Sequence, residues 1–521
     1  MAMMPARIAK GTALVASTML AANPLSAQAR QRWNLISIMT DDQAAWSVRA
    51  YGNAETVTPN MDRLAREGAR FTAAFASSGV CTPNRVAFFT GLYPIETGMP
   101  DVPSRRDMDA GLPPGVPFWP RELQRHGYVT GLIGKWHLGE LKAHYPTRYG
   151  FDYFFGFLRG SNLPMNPVML RDGKPVSLRG PEPDLLVDDA VRFLEQHRGR
   201  PFALLLHFRA PHAPHLPVPA ADLAPFKNLD PTVPIVDPAV AVLDDDQEPA
   251  DPEAIALHTR LLKDKMRTYY ASVHSVDRNI GRLLAKMDEL DLTRKTIVLF
   301  TSDQGYLFGH RGLKGKGSAQ PIRNHTLAND AKMVNMYDVA LRVPLMVRWP
   351  GVVRPGAVID QLVSNVDTYA TVLSMLSVPK PSRAPAQSRD FTPLLRGEPV
   401  AWRDTIFAEY TPDQIGAMQF IRMIRTSRWK LVRTYLNGGG NELYDLKNDP
   451  EELHNLYHDW RRGPLETDSG QSRRVANPYA PVRDSLQKRL AEWQRSIGDP
   501  ALELDARYAE VRRRMRERWS R

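Results

Sequence analysis

Cysteine is nearly absent: Cys81 is the single one among 521 residues. An internal disulfide needs two, so a small disulfide-stapled scaffold is excluded, and the lone thiol is either buried and inert or chemically special. The cysteine and histidine positions offer no zinc spacing. Beyond the N-terminal segment there is no run of about 18 apolar residues, which excludes a membrane-spanning body. Internal repeats are absent too. Charge of neither sign is scarce: 68 Lys and Arg stand against 57 Asp and Glu, a formal net charge of +11. With 43% hydrophobic and 24% charged residues, the chain can build a large core, unlike a disordered tail or a collagen-like fibre. The length suits several compact units, or one large domain with a smaller partner.

Residues 1–29 read as a signal peptide. Arg7 and Lys10 give a basic start, Gly11 to Ala22 an apolar stretch, and Ala27-Gln28-Ala29 a small-x-small cleavage site. The plainer alternative is a short N-terminal helix. Export to the periplasm or the medium is the expectation. A basic exported protein suits an anionic substrate or a cell-envelope surface better than nucleic acid, so no nucleic-acid partner is expected.

Five apolar runs read as buried strands: Asn34 to Thr40, Tyr128 to Ile133, Phe202 to Phe208, Thr296 to Thr301 and Pro344 to Arg348. Helical patterns lie between them, at Pro59 to Glu67, Pro120 to His126 and Leu262 to Leu290. The alternation predicts an α/β fold, a large mixed, mostly parallel sheet flanked by helices. A proline- and serine-rich stretch, Pro379 to Arg389, marks a boundary. Beyond it, Thr405 to Tyr410, Met418 to Thr426 and Trp429 to Tyr435 read as a smaller antiparallel sheet, followed by a helix at Asp484 to Ile497. The expected organisation is a signal peptide (1–29), a catalytic α/β domain (30–380) and a C-terminal α+β subdomain (381–521). The proline- and aspartate-rich insert Pro214 to Pro252 either borders a cleft or is an irregular surface loop. The arginine-rich terminus reads as a solvated helix face or tail.

The polar clusters have a common position: each comes directly after an apolar run. Asp41 and Asp42 follow the first, Lys135 and His137 the second, His212 and His215 the third, Asp303 and Gln304 the fourth. Ligands gather outside the carboxyl ends of strands in an open parallel sheet, so four distant segments would deliver these groups to one place. Singly, each has a bland reading as a cap, a turn or a solvated side chain. Together, Asp41, Asp42, Asp303 and Gln304 make a set of hard oxygen donors suited to calcium or magnesium. A cation there could neutralise an anionic ester, with lysine and arginine supplying further positive charge and histidines proton transfer.

Around the single cysteine the chain reads Cys81-Thr82-Pro83-Asn84-Arg85 and continues VAFFTGLYP. This resembles the C-x-P-x-R signature of the formylglycine-dependent (type I) sulfatases, members of the alkaline phosphatase superfamily. The order DD, cysteine motif, GKWHLG, APH and SDQG is similar to theirs, as are RVPLMVRWPG (Arg342 to Gly351) and ELYDLKNDPEELHNL (Glu442 to Leu456). The resemblance covers nearly all of the chain after the signal segment. It implies that Cys81 is oxidised to formylglycine by a formylglycine-generating or sulfatase-maturating enzyme. It also implies one calcium ion held by Asp41, Asp42, Asp303 and Gln304, with residue 81 beside it. In such a mechanism one hydroxyl of the hydrated aldehyde attacks sulfur, and the second drives elimination of sulfate. By the same resemblance, Arg85 holds the formylglycine, Lys135 bridges it to the sulfate, and His137 is the partner of Lys135 or a base. His212 contacts sulfate or protonates the leaving oxygen. His215 and His310 are substrate contacts of lower rank, and His207 is a satisfied core histidine. For the second lysine, Lys316 is preferred over Lys314 and Lys332. Asn84 occupies a position that varies within the motif.

The readings therefore stand in order. The first is a sulfuric ester hydrolase acting on an organic sulfate ester, a sulfated carbohydrate being favoured. A phosphate or phosphonate ester hydrolase on the same scaffold is second, and an inactive glycan-binding protein third.

Overall fold

Ten strands build the central sheet of the computed structural model. In chain order they are β1 (Asn34–Asp41), β2 (Ala69–Phe71), β3 (Val129–Lys135), β4 (Tyr153–Phe157), β5 (Val168–Arg171), β6 (Lys174–Ser177), β7 (Phe202–Pro211), β8 (Thr296–Ser302), β9 (Leu345–Arg348) and β10 (Ala357–Ile359). They lie side by side as β10-β2-β9-β8-β1-β7-β3-β4-β5-β6. The middle, β8 to β4, is parallel throughout. Antiparallel pairing appears toward the edges, where β9 joins β8 and β2, and β5 joins β4 and β6. The structure describes residues 32–103, 110–234, 252–323, 326–327, 333–412, 420–435, 440–457, 477–507 and 510. Residues 1–31, Lys332, residues 235–251 of the Pro214 to Pro252 insert and most of the arginine-rich terminus lie outside them.

Every residue of β1, β3, β7 and β8 is buried. Alternate side chains supply two separate cores, as the two-residue repeat of a strand requires. Leu35, Met39, Leu132, Leu205 and Leu299 face one layer with Phe88, Trp119 and Trp136. Ile36, Ile38, Ile133, Leu204 and Phe300 face the other, with Leu186 of the helix Glu182–His197 and Tyr269 and Ile280 of the long helix Pro252–Glu289. Covering both faces is what permits apolar runs without alternation.

A second sheet holds β11 (Thr405–Tyr410), β12 (Phe420–Thr426), β13 (Trp429–Tyr435) and β14 (Glu442–Asp445), all antiparallel. The helix Ala480–Ser496 covers it through Leu486, Leu490 and Trp493. The expected fold class is therefore the observed one. Boundaries differ in detail: β7 runs to Pro211, and the long helix begins at Pro252, ten residues before the first residue expected. The edge hairpin β5–β6, whose residues are largely half-buried or exposed, carries no apolar run to announce it.

The helix Cys81–Thr90 is buried over all ten residues. Val86, Phe88 and Phe89 pack on the central sheet, whereas Ala87 packs with Ile424, Leu431 and Leu443 of the small sheet. Val80, just before it, packs with Ile406 and Met423. The small sheet thus presses this helix against the large one.

A buried ion pair ties the small sheet to the turn that follows its covering helix. Arg422 of β12 donates from Nε and Nη2 to the two carboxylate oxygens of Asp499, at 2.6 and 2.8 Å, and both side chains are fully buried. Burial raises the Asp499 carboxyl, but the Arg422 hydrogen bonds and charge outweigh it and hold the group below its ordinary range. Asp499→Ala removes the bidentate partner of Arg422 and leaves only the Glu409 carboxylate, 3.7 Å away; it should cost about 3 kcal/mol, read as a lower midpoint in thermal or urea unfolding. Because the native carboxyl is the more acidic, its contribution is present above the ordinary carboxylate value and is lost as the pH falls through the lowered one. The gap between wild type and variant should accordingly be full at pH 7 and shrink in acid.

Candidate active site

The site forms where β1, β3, β7 and β8 end. Parallel register pairs Thr40 with Ser302, which sets Asp41 and Asp303 beside each other on neighbouring strands. The amide of Asp303 donates to the Thr40 carbonyl at 3.1 Å. Asp42 then turns the chain with a left-handed φ of 60°. Its amide donates to Asp303 Oδ1 at 3.2 Å. Lys135 closes β3, and its ammonium donates to Asp41 Oδ2.

Cys81 and Arg85 stand four residues apart at the start of their helix, hence on one face. Arg85 Nε and Nη2 donate to Asp303 Oδ2 at 3.1 and 2.9 Å, and Nη1 donates to the Lys135 carbonyl at 3.3 Å. The thiol of Cys81 donates to Asp41 Oδ1 at 3.4 Å. Asn84 fastens the preceding loop, donating to the carbonyls of Ser78 (2.7 Å) and Val80 (3.0 Å) and to Gln304 Oε1 (3.4 Å). The variable position of the motif thus holds the cysteine loop against the Asp303–Gln304 segment.

Of the two candidate lysines within the described residues, Lys316 is the one that reaches the cluster. It comes after the strand Leu313–Gly315, and its ammonium lies 3.0 Å from Cys81 Sγ and 2.9 Å from Asp42 Oδ1. Gly317 makes this approach possible: its amide donates to the Gly79 carbonyl at 2.8 Å, and a Cβ on Gly79 would meet Gly317 Cα at 2.6 Å. Only two bare backbones fit so closely. Lys314 points to a different neighbourhood, with its ammonium 5.9 Å from the Phe308 ring centre, and Lys332 lies outside the described residues.

The electrostatics come from burial and crowding. Burial alone would raise Asp41, but Lys135, His212, Arg85 and Lys316 hold its carboxyl well below the usual range. Asp303 goes the other way: burial and the neighbouring Asp41 push it up to about 7, against Arg85 and Lys135. Burial and Asp41 also push the Cys81 thiol up to about 12, so it is a neutral thiol and a poor nucleophile at neutral pH. Burial would lower Lys316, yet Asp42, Cys81, Asp41 and Asp303 raise its ammonium well above the ordinary value.

The histidines divide into near and far. His212 comes directly after β7, with Nε2 3.7 Å from Asp42 Oδ2 and Nδ1 2.6 Å from the Ala213 carbonyl. That contact places the Nδ1 proton and leaves Nε2 as the site where a proton is gained or given. His137 is buried, with a left-handed φ of 61° and an Nδ1 that has no hydrogen-bond partner among the described residues. Burial, Lys135 and Arg85 keep it neutral. His207 is a core residue between Phe88 and Phe89, but it is not fully satisfied: Nδ1 meets Arg85 at 3.4 Å while Nε2 is unpartnered among the described residues. His215 packs on Tyr269 and Phe308, one ring outside the cluster. His310 sits beside Trp46 and accepts from the Phe308 amide at 3.2 Å. It lines a cavity of about 440 Å³ with Trp46, Tyr51, Arg311 and Tyr337, whose lining does not include Asp41, Asp42 or Asp303.

Arg209 is a site residue that the sequence motifs do not single out. It is buried in β7, and its Nη1 donates to the carbonyls of His212 and Pro214 (3.1 Å), fixing the loop that presents His212. A charged residue near the end of an apolar run is the signal that could have found it.

Asp41, Asp42 and Asp303 each offer an oxygen within 4.8 Å of the others, all buried. Three crowded carboxylates, one of them raised by its neighbour, suit a hard divalent cation. Gln304 lies against the same oxygens, donating from Nε2 to Asp42 Oδ1. A half-turn of its amide would offer the carbonyl instead.

Comparison with known proteins agrees with this arrangement. The sulfatase family profile matches residues 33–378, and the profile of the N-sulphoglucosamine sulphohydrolase C-terminal region matches residues 330–470. N-acetylglucosamine-6-O-sulfatase of Bacteroides thetaiotaomicron is 29% identical, the match covering 92% of this chain and 89% of that protein. Steryl-sulfatase of Mus musculus is 31% identical over 76% of this chain and 70% of its own. Among solved structures, a protein in complex with its substrate D-glucosamine-2-N,6-O-disulfate superposes with a TM-score of 0.72 at 26% identity, covering 90% of this chain and 98% of that one. With the profile spanning most of its length and the cysteine motif, carboxylates and lysines converging on one point, the chain belongs to the type I sulfatase family and is a sulfuric ester hydrolase.

Proposed function

We propose that the enzyme removes sulfate from a sulfated carbohydrate, using a formylglycine formed from Cys81 and one calcium ion held by Asp41, Asp42, Asp303 and Gln304. The observation that carries this reading is the convergence of Lys135, Lys316 and Arg85 with three carboxylates around the single cysteine. The carbohydrate class is supported by the relative named as an N-acetylglucosamine-6-O-sulfatase and by the solved complex with a glucosamine disulfate. Export, with conversion of Cys81 by a formylglycine-generating or sulfatase-maturating enzyme, belongs to the same proposal. So does a division into a catalytic part (30–380) and a C-terminal subdomain (381–521). Among the described residues no helix is long and apolar enough to cross a membrane.

When present, the metal and the formylglycine supply charge neutralisation and the oxygen nucleophile. The remaining work falls to this chain's side chains. Lys135 and Lys316 bring two fixed ammonium groups to the point where sulfate charge must be held, a preorganised arrangement that needs no rearrangement during reaction. Arg85 fixes Asp303 and the backbone of Lys135, so one guanidinium sets the spacing between the carboxylates and the sulfate lysine. His212 Nε2 stands 3.7 Å from Asp42 Oδ2, with 22% of the side chain exposed. From there it can pass a proton to a departing alkoxide.

Two outcomes test the reading. In protein from the native host, the tryptic peptide Phe71–Arg85 should show the mass loss of a thiol replaced by an aldehyde. Cys81→Ala should reduce hydrolysis of 4-nitrophenyl sulfate to background while leaving circular dichroism unchanged; an unmodified thiol in active protein would overturn the mechanism, and faster turnover of the matching phosphate would favour the phosphatase alternative.

The metal is tested separately. Calcium at about 100 times its dissociation constant should stabilise the wild type by about 2.7 kcal/mol, visible as a higher unfolding temperature. Asp303→Ala should lose that increment together with activity. An equal calcium response in both proteins would remove Asp303 from the metal site.

A further inference from the structure

Just outside the reacting cluster the structure repeats the same pairing of residue types. The inner pair is His212 and Lys316, on Asp42 and Cys81. Three residues after His212 comes His215, and two residues before Lys316 comes Lys314. Lys314 lies in the strand Leu313–Gly315, and Lys316 follows it after Gly315, whose φ of 126° turns the backbone between the two lysines. Both outer residues adjoin the ring of Phe308: the His215 ring at 6.0 Å and the Lys314 ammonium at 5.9 Å. Lys314 is also within electrostatic reach of His215.

A second cation completes the group. Lys265 of the long helix faces Lys314, and this like-charge contact, after burial, lowers the Lys314 ammonium to about 8. Among the described residues, the neighbouring acids on this side of the helix are paired with other cations: Asp264 with Arg267, and Asp230 with Lys263 at 2.7 Å. Two ammonium groups turned toward each other call for an anion between or beside them.

His215 adds a directional acceptor. Thr268, one helical turn after Lys265, donates its only hydroxyl proton to the Lys265 carbonyl at 2.8 Å. The 3.3 Å contact from His215 Nδ1 to Thr268 Oγ1 must then be a donation by the imidazole. Burial keeps the ring neutral, at about 3, so Nε2 is a bare acceptor, suited to a sugar hydroxyl.

We infer that Lys265, Lys314 and His215 form a second anion subsite, which takes a further sulfate or a carboxylate on the alcohol portion of the substrate. The inference rests on the sulfated-carbohydrate reading and makes it narrower: the preferred substrate carries at least two negative charges.

The test is binding without turnover, by calorimetry on the full-length Cys81→Ala protein with calcium. The ligands are N-acetylglucosamine 6-sulfate, glucosamine N,6-disulfate, and N-acetylglucosamine 6-sulfate joined to glucuronate. A doubly charged sugar should bind at least about tenfold more tightly than the singly charged one, a factor set by one added charge-assisted contact. Preference for the disulfate assigns the subsite to sulfate, and preference for the uronate to carboxylate. Lys265→Met and Lys314→Met should abolish the preference, and Lys265→Arg and Lys314→Arg should retain it. No preference in the parent protein, its survival in both Met variants, or an equal loss for all three sugars overturns the subsite. Failure of the carbohydrate reading looks different, because none of the three sugars would then bind at all.

Discussion

Everything at the centre of this protein depends on burying Asp41, Asp42 and Asp303 together. Taking one carboxylate out of water costs several kcal/mol unless it is paired, and here three are crowded into one spot. The fold answers with three cations from three directions: Arg85 from a helix, Lys135 from a strand end and Lys316 from a hairpin. None of these is adjacent in sequence to the acids it balances. The arrangement therefore exists only once the central sheet is complete, and the site is a direct product of tertiary structure.

The same requirement explains the second sheet. Arg85 can reach Asp303 only if the helix Cys81–Thr90 is held rigidly over the strand ends. That helix has no solvent face, so it needs apolar cover on the side away from the central sheet. Ile424, Leu431 and Leu443 provide it, and the Arg422–Asp499 pair keeps β12 joined to the turn that follows the helix backing it. Distance from the chemistry does not make the C-terminal elements accessory; they fix the register of the cysteine loop.

Much of this is legible in the sequence because parallel strands buried on both faces leave unbroken apolar runs, and ligands gather at the carboxyl ends of such runs. Asp41, Lys135, His212 and Asp303 can be placed by that rule alone, and Gln304 and Asp42 enter as their neighbours. Lys316 is harder to choose, since it depends on a hairpin whose path is set by two glycines touching across a loop, a contact between positions 79 and 317 that no local pattern encodes. Arg209 and Lys265 escape a reading of the sequence because their contacts form only in the fold: one braces a loop beyond its own strand end, the other meets a lysine from a distant hairpin. His310 resembles a site residue by its position near the SDQG segment, but the turn at Gly309 sends it toward Trp46 and a separate cavity.

The charges also set what the pocket can accept. Formally, Asp41, Asp42 and Asp303 match Arg85, Lys135 and Lys316 one for one. A divalent cation in the proposed site would leave the cluster with an excess of positive charge, in a buried setting where Coulomb terms are little screened. An anionic ester arriving there restores the balance, whereas a neutral ester would leave the excess buried. In the second subsite inferred above, Lys265 and Lys314 would add positive charge beyond this cluster. With that subsite, a polyanionic substrate would be favoured twice, once at the reacting group and again by the added positive charge, which raises the local concentration of anions.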